Sequence, residues 1–328
     1  MVRKWVKLFT IVSIILATFL ISSLEGGWLM RRETLRERLE RIGKENNWGI
    51  AGINDNDIVK ISVLGKELFH ITIGEKNRTC GNLSSSPDGL KFAFWKTIFF
   101  DKSILYTINS DGTGLKELFS IPKEPYNGSI SWAPSGKLIA FIVGYSRQKK
   151  EDLYIIDVES GKSKILIENI GGISPQAWSP SGISPQAWSP DGNKIVYESC
   201  ETPAHEIMII DINTKETKKI AEGKYPSWSP DGKKIAFKDK EGNCYIINHD
   251  GSNKQLLLKG KTSFIKYIKG IYQVRGNLLW SPDSKYILYD RITGMKGVES
   301  TLYIMDVESK ESIKIGRFYF TPSVWVNH

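Results

Sequence analysis

Trp228-Ser229-Pro230-Asp231-Gly232 runs directly into Lys233-Lys234-Ile235-Ala236-Phe237. Pro presets φ at the second position of a tight turn, Asp can bond its own nearby backbone, and Gly accepts positive φ. The run that follows is short, β-branched and aromatic, as a buried strand requires. The stretch therefore predicts a turn feeding a strand. The same phrase is written four more times: Pro87-Asp88-Gly89, Trp132…Pro134…Gly136, Trp188…Pro190-Asp191-Gly192 and Trp280…Pro282-Asp283. Each turn is followed by a second apolar segment, such as Leu153–Asp157, Ile207–Asp211 or Leu302–Asp306, then another turn and a last short strand. The unit is four strands, a to d, joined by hairpins.

The turn prolines stand at 87, 134, 190, 230 and 282. Four-stranded units recurring at about 40–50 residues are the signature of β-propeller blades. The widest gap, between 134 and 190, has a visible cause: residues 172–181 (GISPQAWSPS) are repeated almost unchanged as 182–191 (GISPQAWSPD). The copy at 182–191 should take the turn, because Asp191-Gly192 completes the phrase, and the copy at 172–181 should bulge out. Two further fragments complete the count. Thr321–Val326, with Trp325, resembles the approach to a repeat turn, while Ile58–Val63 and Glu67–Ile71 resemble third and fourth strands. Joined, they make one more blade. The expected fold is an all-β, six-bladed propeller over residues 48–328, closed by pairing N- and C-terminal strands, which removes exposed sheet edges.

The repeated W-S-P-D-G-K-K-I-A-F followed by Y-I-I-D resembles the TolB-like, WD-type β-propeller repeat. The resemblance implies the fold far more than the function, since propellers host unrelated tasks. Proteins of that family also carry a sizeable α/β domain before the propeller. Here residues 25–47 alone separate an apolar N-terminal run from the first strands, so that domain is expected to be missing.

That run, Leu8–Leu24, carries no charge and follows Arg3, Lys4 and Lys7. It reads as a transmembrane helix or a signal-peptide core, within a segment 1–27. The small-residue cleavage signal around Ser22-Ser23 is poor, so an uncleaved anchor is expected. Arg31, Arg32, Arg36, Arg38, Arg41 and Lys44 follow it, which by charge favours a cytoplasmic propeller. Large domains translocate regardless of charge, and the resembling family is exported, so the expected location is extracytoplasmic, periplasmic or cell-surface. Residues 28–47 place Leu35, Leu39 and Ile42 at helical spacing, a juxtamembrane amphipathic helix that lies on headgroups or serves as a charged spacer.

With 41% hydrophobic and 25% charged residues the chain has ample material for a core, and its net charge is +9. A specific catalytic constellation is missing. There is no His-Glu-x-x-His and no Gly-x-Ser-x-Gly. The three cysteines (Cys80, Cys200, Cys244) show no metal-like pairing, and His205-Glu206 reads as an isolated loop pair. No metal and no cofactor is expected. The Asp residues of the turns read as local caps and the repeat tryptophans as packing between blades.

The a–b and c–d turns are short, whereas the b–c and d–a connections vary: Trp95–Ser103, Ser120–Gly128, Tyr145–Glu151, Glu198–Glu206, Lys259–Asn277 and Arg291–Ser300. Variable loops on a rigid scaffold are where binding resides. These carry Arg147, Lys149 and Lys150; then Lys259, Lys261, Phe264, Lys266, Tyr267, Lys269, Tyr272 and Arg275; then Arg291 and Lys296. Basic and aromatic residues interleaved suit an acidic partner. The expected function is a non-catalytic, membrane-anchored propeller that binds a protein or peptide partner through this loop face. Nucleic acid is disfavoured. The alternative is a lyase or hydrolase acting on anionic polysaccharide at the channel mouth.

Overall fold

A computed structural model describes residues 33–54, 57–72, 78–98, 102–122, 125–145, 150–171, 187–200, 205–260, 273–292, 300–318 and 321–327. Residues 1–38 and 39–328 form two units, and the second is a six-bladed β-propeller. Blade 1 pairs β23 (Thr321–Asn327) with β1 (Trp48–Asn54), β2 (Asp57–Ser62) and β3 (Glu67–Thr72) in that order. The C-terminal strand is thus the inner strand of the N-terminal blade, with Ile50 opposite Trp325. The second strand of this blade, Trp48–Asn54, is the one the repeat pattern does not name.

Blade 2 comprises β4 (Arg78–Ser85), β5 (Lys91–Ile98), β6 (Lys102–Asn109) and β7 (Lys116–Pro122). Blade 3 comprises β8 (Pro125–Trp132), β9 (Leu138–Tyr145), β10 (Lys150–Asp157) and β11 (Ser163–Gly171). In blade 4 the described part of the inner strand makes a bridge from Trp188 to Ile195, ahead of β12 (Lys194–Ser199), β13 (Glu206–Asp211) and β14 (Thr217–Glu222). Blade 5 is β15 (Lys224–Trp228) to β18 (Gln255–Leu258), through β16 (Lys234–Lys238) and β17 (Cys244–Asn248). Blade 6 is β19 (Gln273–Trp280), β20 (Tyr286–Ile292), β21 (Ser300–Asp306) and β22 (Ser312–Phe318). All strand pairs are antiparallel.

The repeat phrase closes the a–b turns of blades 2, 4, 5 and 6 with one polar clasp, which Ala133 and Ser135 cannot form in blade 3. Ser189 Oγ donates to Asp191 Oδ1 at 2.5 Å, which also accepts from the Asn193 N–H at 3.1 Å. Ser229 and Asp231 do the same at 2.7 Å, and Ser281 and Asp283 at 2.6 Å. The fourth turn residue takes φ near +70°, as at Gly192 (72°) and Gly232 (75°); Ser284 replaces Gly in blade 6 and still adopts 61°. The second Trp-Ser-Pro copy, at 188–190, occupies the blade 4 turn, while the first copy lies outside the described residues.

The cores lie between blades. Trp95 and Leu105 of blade 2 pack with Phe141 and Ile156 of blade 3, and Trp228 and Phe237 of blade 5 pack with Val196 and Ile207 of blade 4. The repeat tryptophans join these seams in two ways. Trp188, Trp280 and Trp325 donate their indole N–H to the preceding blade, at Ser131, Ser227 and Leu279 carbonyls, whereas Trp132 and Trp228 donate to their own turns at Gly136 and Gly232.

Helix α1 (Leu35–Glu45) starts with a capping box. Thr34 Oγ1 accepts from the Glu37 N–H, and Glu37 accepts from the Thr34 N–H at 3.0 Å. Leu39 is 1% exposed. A Cβ on Gly43 would stand 2.5 Å from a Val63 methyl, which explains a helix-interior glycine. In this half of the helix the apolar stripe faces protein, not solvent. Among the described residues no helix is long and apolar enough to cross a membrane; the expected span, 8–24, lies outside them.

Candidate functional site

The two faces of the disc differ in their connections. Every described a–b turn has five residues (86–90, 133–137, 189–193, 229–233 and 281–285). The d–a connections run from residue 223 alone to 172–187. Strands reach further into the loop face than composition suggests. β5 and β6 continue to Ile98 and from Lys102, held by a Thr97–Ser103 hydroxyl contact of 3.0 Å. Only residues 123–124 separate β7 from β8.

This extension corrects three expected loop residues. Lys150 is in β10, Arg275 in β19 and Arg291 in β20. The ladder continues as long as backbone groups find partners, whatever the polarity of the side chains. Lys150 Nζ lies 3.2 Å from Asp152, which is 1% exposed, and 4.9 Å from the Tyr145 ring centroid. That bond is the first cause of a lysine pKa raised above its usual value. Arg291 lies over the Tyr289 and Tyr303 rings at 5.4 and 5.1 Å. These two cations are engaged within their own blades. Lys259 is exposed. Arg147, Lys149, Lys261, Phe264, Lys266, Tyr267, Lys269, Tyr272 and Lys296 lie outside the described residues.

What the structure does bring together is a cluster on the b–c hairpin of blade 4. Glu198 and Cys200 are two apart along one strand direction and so share a face. His205 enters from the returning strand, where Glu206 stands opposite Ser199. Glu198 Oε1 is 2.7 Å and Cys200 Sγ 2.9 Å from the same atom, His205 Nδ1, and Sγ lies 3.7 Å from Oε1. Glu198 is 3% exposed, and the His205 side chain 20%. The Tyr225 N–H of blade 5 donates to Glu198 Oε2 at 3.0 Å, and the Gly223 N–H donates to the His205 carbonyl at 2.9 Å. His205 takes φ 52°, uncommon for a residue with a side chain.

Glu206 turns away and pairs with Lys219 at 2.7 Å. The adjacent His205-Glu206 is therefore not one site, because neighbours on a strand point to opposite faces. The sequence signal that was passed over is Glu198-x-Cys200 followed across a tight hairpin by His205: three different donors within eight residues. His70 is a separate case, 3.0 Å from Asp57 and largely exposed.

Beside this cluster runs a line of buried charge. Glu198, Lys238 and Asp290 occupy the same register of the second strand in blades 4, 5 and 6, at 3%, 4% and 5% exposure. Burial lowers the Lys238 ammonium to about 8, while Cys244, Asp290 and Glu198 act the other way. Lys238 also lies 4.3 Å from the Tyr225 ring centroid. On the opposite face, a cleft of about 570 Å³ lies between blades 2 and 3. Lys116 Nζ reaches across that seam to the Val158 and Glu159 carbonyls.

No protein-family model matches the chain, and no curated protein does. Among solved structures, TolB from Acinetobacter baumannii is similar at 15% identity with a TM-score of 0.64, over 86% of this chain and 66% of that one. The chain therefore spans just under two thirds of that protein. A structure assigned to TolB from Agrobacterium tumefaciens is similar at 15% identity and a TM-score of 0.55, covering 84% of this chain and 91% of that one. A chain of a nidogen/laminin complex matches at 8% identity and a TM-score of 0.55, covering 85% and 97%. At these identities the likeness is one of fold, that of the TolB-like β-propeller.

Proposed function

We propose that the chain is a non-catalytic propeller that binds a protein or peptide partner through its b–c and d–a face, tethered outside the cytoplasm by residues 8–24. The observation that carries this reading is the contrast between faces. The described a–b turns share one five-residue length, and those of blades 2, 4, 5 and 6 share one Ser–Asp clasp, so they are built for folding. The opposite connections share neither length nor composition, which suits recognition. The nidogen/laminin match supplies a propeller fold solved in a protein complex.

The test is capture from solubilised envelope with the full chain, beside a variant carrying Lys259, Lys261, Lys266 and Lys269 all changed to Glu. The same protein held by the unaltered chain and lost with the variant supports the reading. Capture of nothing, or capture indifferent to charge reversal, overturns it. The second reading, an enzyme acting on anionic polysaccharide, draws on the Glu198–His205 pair. It predicts depolymerisation of such a glycan that His205→Ala abolishes.

A further inference from the structure

We propose that Glu198, Cys200 and His205 bind one divalent transition-metal cation of the zinc class. The geometry separates this reading from a nucleophile relay. In a relay the acid and the nucleophile use opposite nitrogens of the histidine. Here the carboxylate oxygen and the sulfur both meet Nδ1, at 2.7 and 2.9 Å. One proton on Nδ1 can serve only one of these acceptors at a time. A cation at the centre of the three atoms serves all of them.

The donors are an oxygen, a sulfur and a nitrogen, a set that suits zinc better than calcium or magnesium. With zinc bonds of about 2.0–2.3 Å, tetrahedral donors stand roughly 3.3–3.8 Å apart. The separations of 2.7 and 2.9 Å need to open by about 0.6 Å each to meet that geometry, and the 3.7 Å separation already meets it. Three protein donors leave one tetrahedral position for a water or a further ligand.

Outer contacts hold the donors in place, as metal sites require. The Tyr225 N–H fixes the second oxygen of Glu198, the Gly223 N–H fixes the His205 backbone, and the Cys200 N–H bonds the Ile170 carbonyl at 3.3 Å. These anchors come from blades 5 and 3, so the site is braced from both sides. A deprotonated Cys200 and an ionised Glu198 together match a charge of +2, which lowers the cost of burying the carboxylate.

The experiment titrates the chelator-stripped full chain with cobalt(II), following the thiolate-to-cobalt charge-transfer band, and then displaces the cobalt with zinc(II). One equivalent per chain is expected, with affinity falling at least about 100-fold in Cys200→Ser and in His205→Ala, beyond the loss typical of outer-contact changes. Cys80→Ser, Cys244→Ser and Glu206→Gln should bind as before. No thiolate band, or a band kept by Cys200→Ser, overturns the site. A second measurement needs no variant: alkylation of Cys200 in the unaltered chain, located by peptide mapping. Zinc should slow it at least about tenfold, as expected when the reactive thiolate is held by metal; equal rates with and without zinc overturn the proposal.

Discussion

Ile53, Trp95 and Ile142 occupy in blades 1, 2 and 3 the register that Glu198, Lys238 and Asp290 occupy in blades 4, 5 and 6. Each stands opposite an apolar residue of the third strand: Ile58, Leu105 and Leu153 in one half, Ile207, Cys244 and Leu302 in the other. One half of the ring closes this layer with hydrocarbon. The other closes it with charges that alternate in sign from blade to blade. The repeat therefore dictates where this side chain points and not what it is. A buried ion line is seldom a gain over apolar packing, so its place beneath the face that holds the Glu198–Cys200–His205 cluster ties it to function more than to stability.

The largest effect should come from the apolar half. Trp95 is fully buried and meets Phe141 edge-on at 5.7 Å. Trp95→Ala should cost about 3–5 kcal/mol by urea unfolding. Its indole N–H has no partner among the described residues, so Trp95→Phe loses volume while relieving an orphaned donor, and should cost far less. Equal losses in both variants would mean that this half is not held by packing alone.

In the charged half, one change should hurt more than three. Glu198→Met leaves the Tyr225 N–H without its acceptor and removes one carboxylate from the field of Lys238, at a cost of about 3 kcal/mol. Adding Lys238→Met and Asp290→Leu rebuilds blades 4–6 in the manner of blades 1–3, and stability should return to within about 1 kcal/mol of the unaltered chain or exceed it. A triple variant as poor as the sum of its parts would show that the charges are coupled beyond their burial.

The two halves were not equally legible from sequence. Turn chemistry is local, so Ser189-Pro190-Asp191-Gly192 announces its own conformation and, repeated, the whole propeller. Ring closure was legible too, because Thr321–Val326 matches the approach to a repeat. The strand Trp48–Asn54 was not, since it lacks the preceding turn that marks every other second strand. The Glu198–Cys200–His205 cluster was missed for a related reason. The hairpin reverses the chain between Cys200 and His205, and spacing rules written for helices and knuckles do not describe donors facing each other across a ladder. Lys150, Arg275 and Arg291 fall in the variable connections by sequence, but the backbone ladder extends through them, since strand ends are set by backbone pairing.

The pH dependence of stability sharpens the same comparison, with a smaller amplitude. Burial lowers the Lys238 ammonium from 10.5 to about 8, so between those values the unfolded chain binds a proton that the folded chain does not. Stability therefore rises with pH across that window, by at most about 1.4 kcal/mol per pH unit for this group. Cys244 acts in the opposite sense. Burial raises its thiol from 9.0 to about 11, and the folded chain loses stability as pH climbs between those values. Lys60 in blade 1, lowered to about 8 by burial, adds to the rise in every variant that keeps it. The informative quantity is the difference between the unaltered chain and Lys238→Met, which should grow in favour of the unaltered chain from pH 8 to pH 9. A flat difference would mean that Lys238 is solvated in the folded state and that the charged half is more open than its burial implies.

The smallest effect concerns the tandem copy. Residues 172–187 connect β11 to the inner bridge of blade 4, and Trp188-Ser189-Pro190-Asp191 alone makes the clasp. Removing 172–181 leaves a six-residue connection, well inside the span of the other d–a connections, which run from residue 223 alone to 259–272. Loop closure depends only weakly on length, about 0.6 kcal/mol for each doubling. The deletion should therefore leave the melting temperature within a few degrees, a shift on the order of 1 kcal/mol or less for a domain of this size. Collapse of folding would show instead that the first copy supplies contacts the blade needs. Blade 4, whose inner strand makes a single bridge among the described residues, would then owe its place in the ring to a segment outside its own repeat.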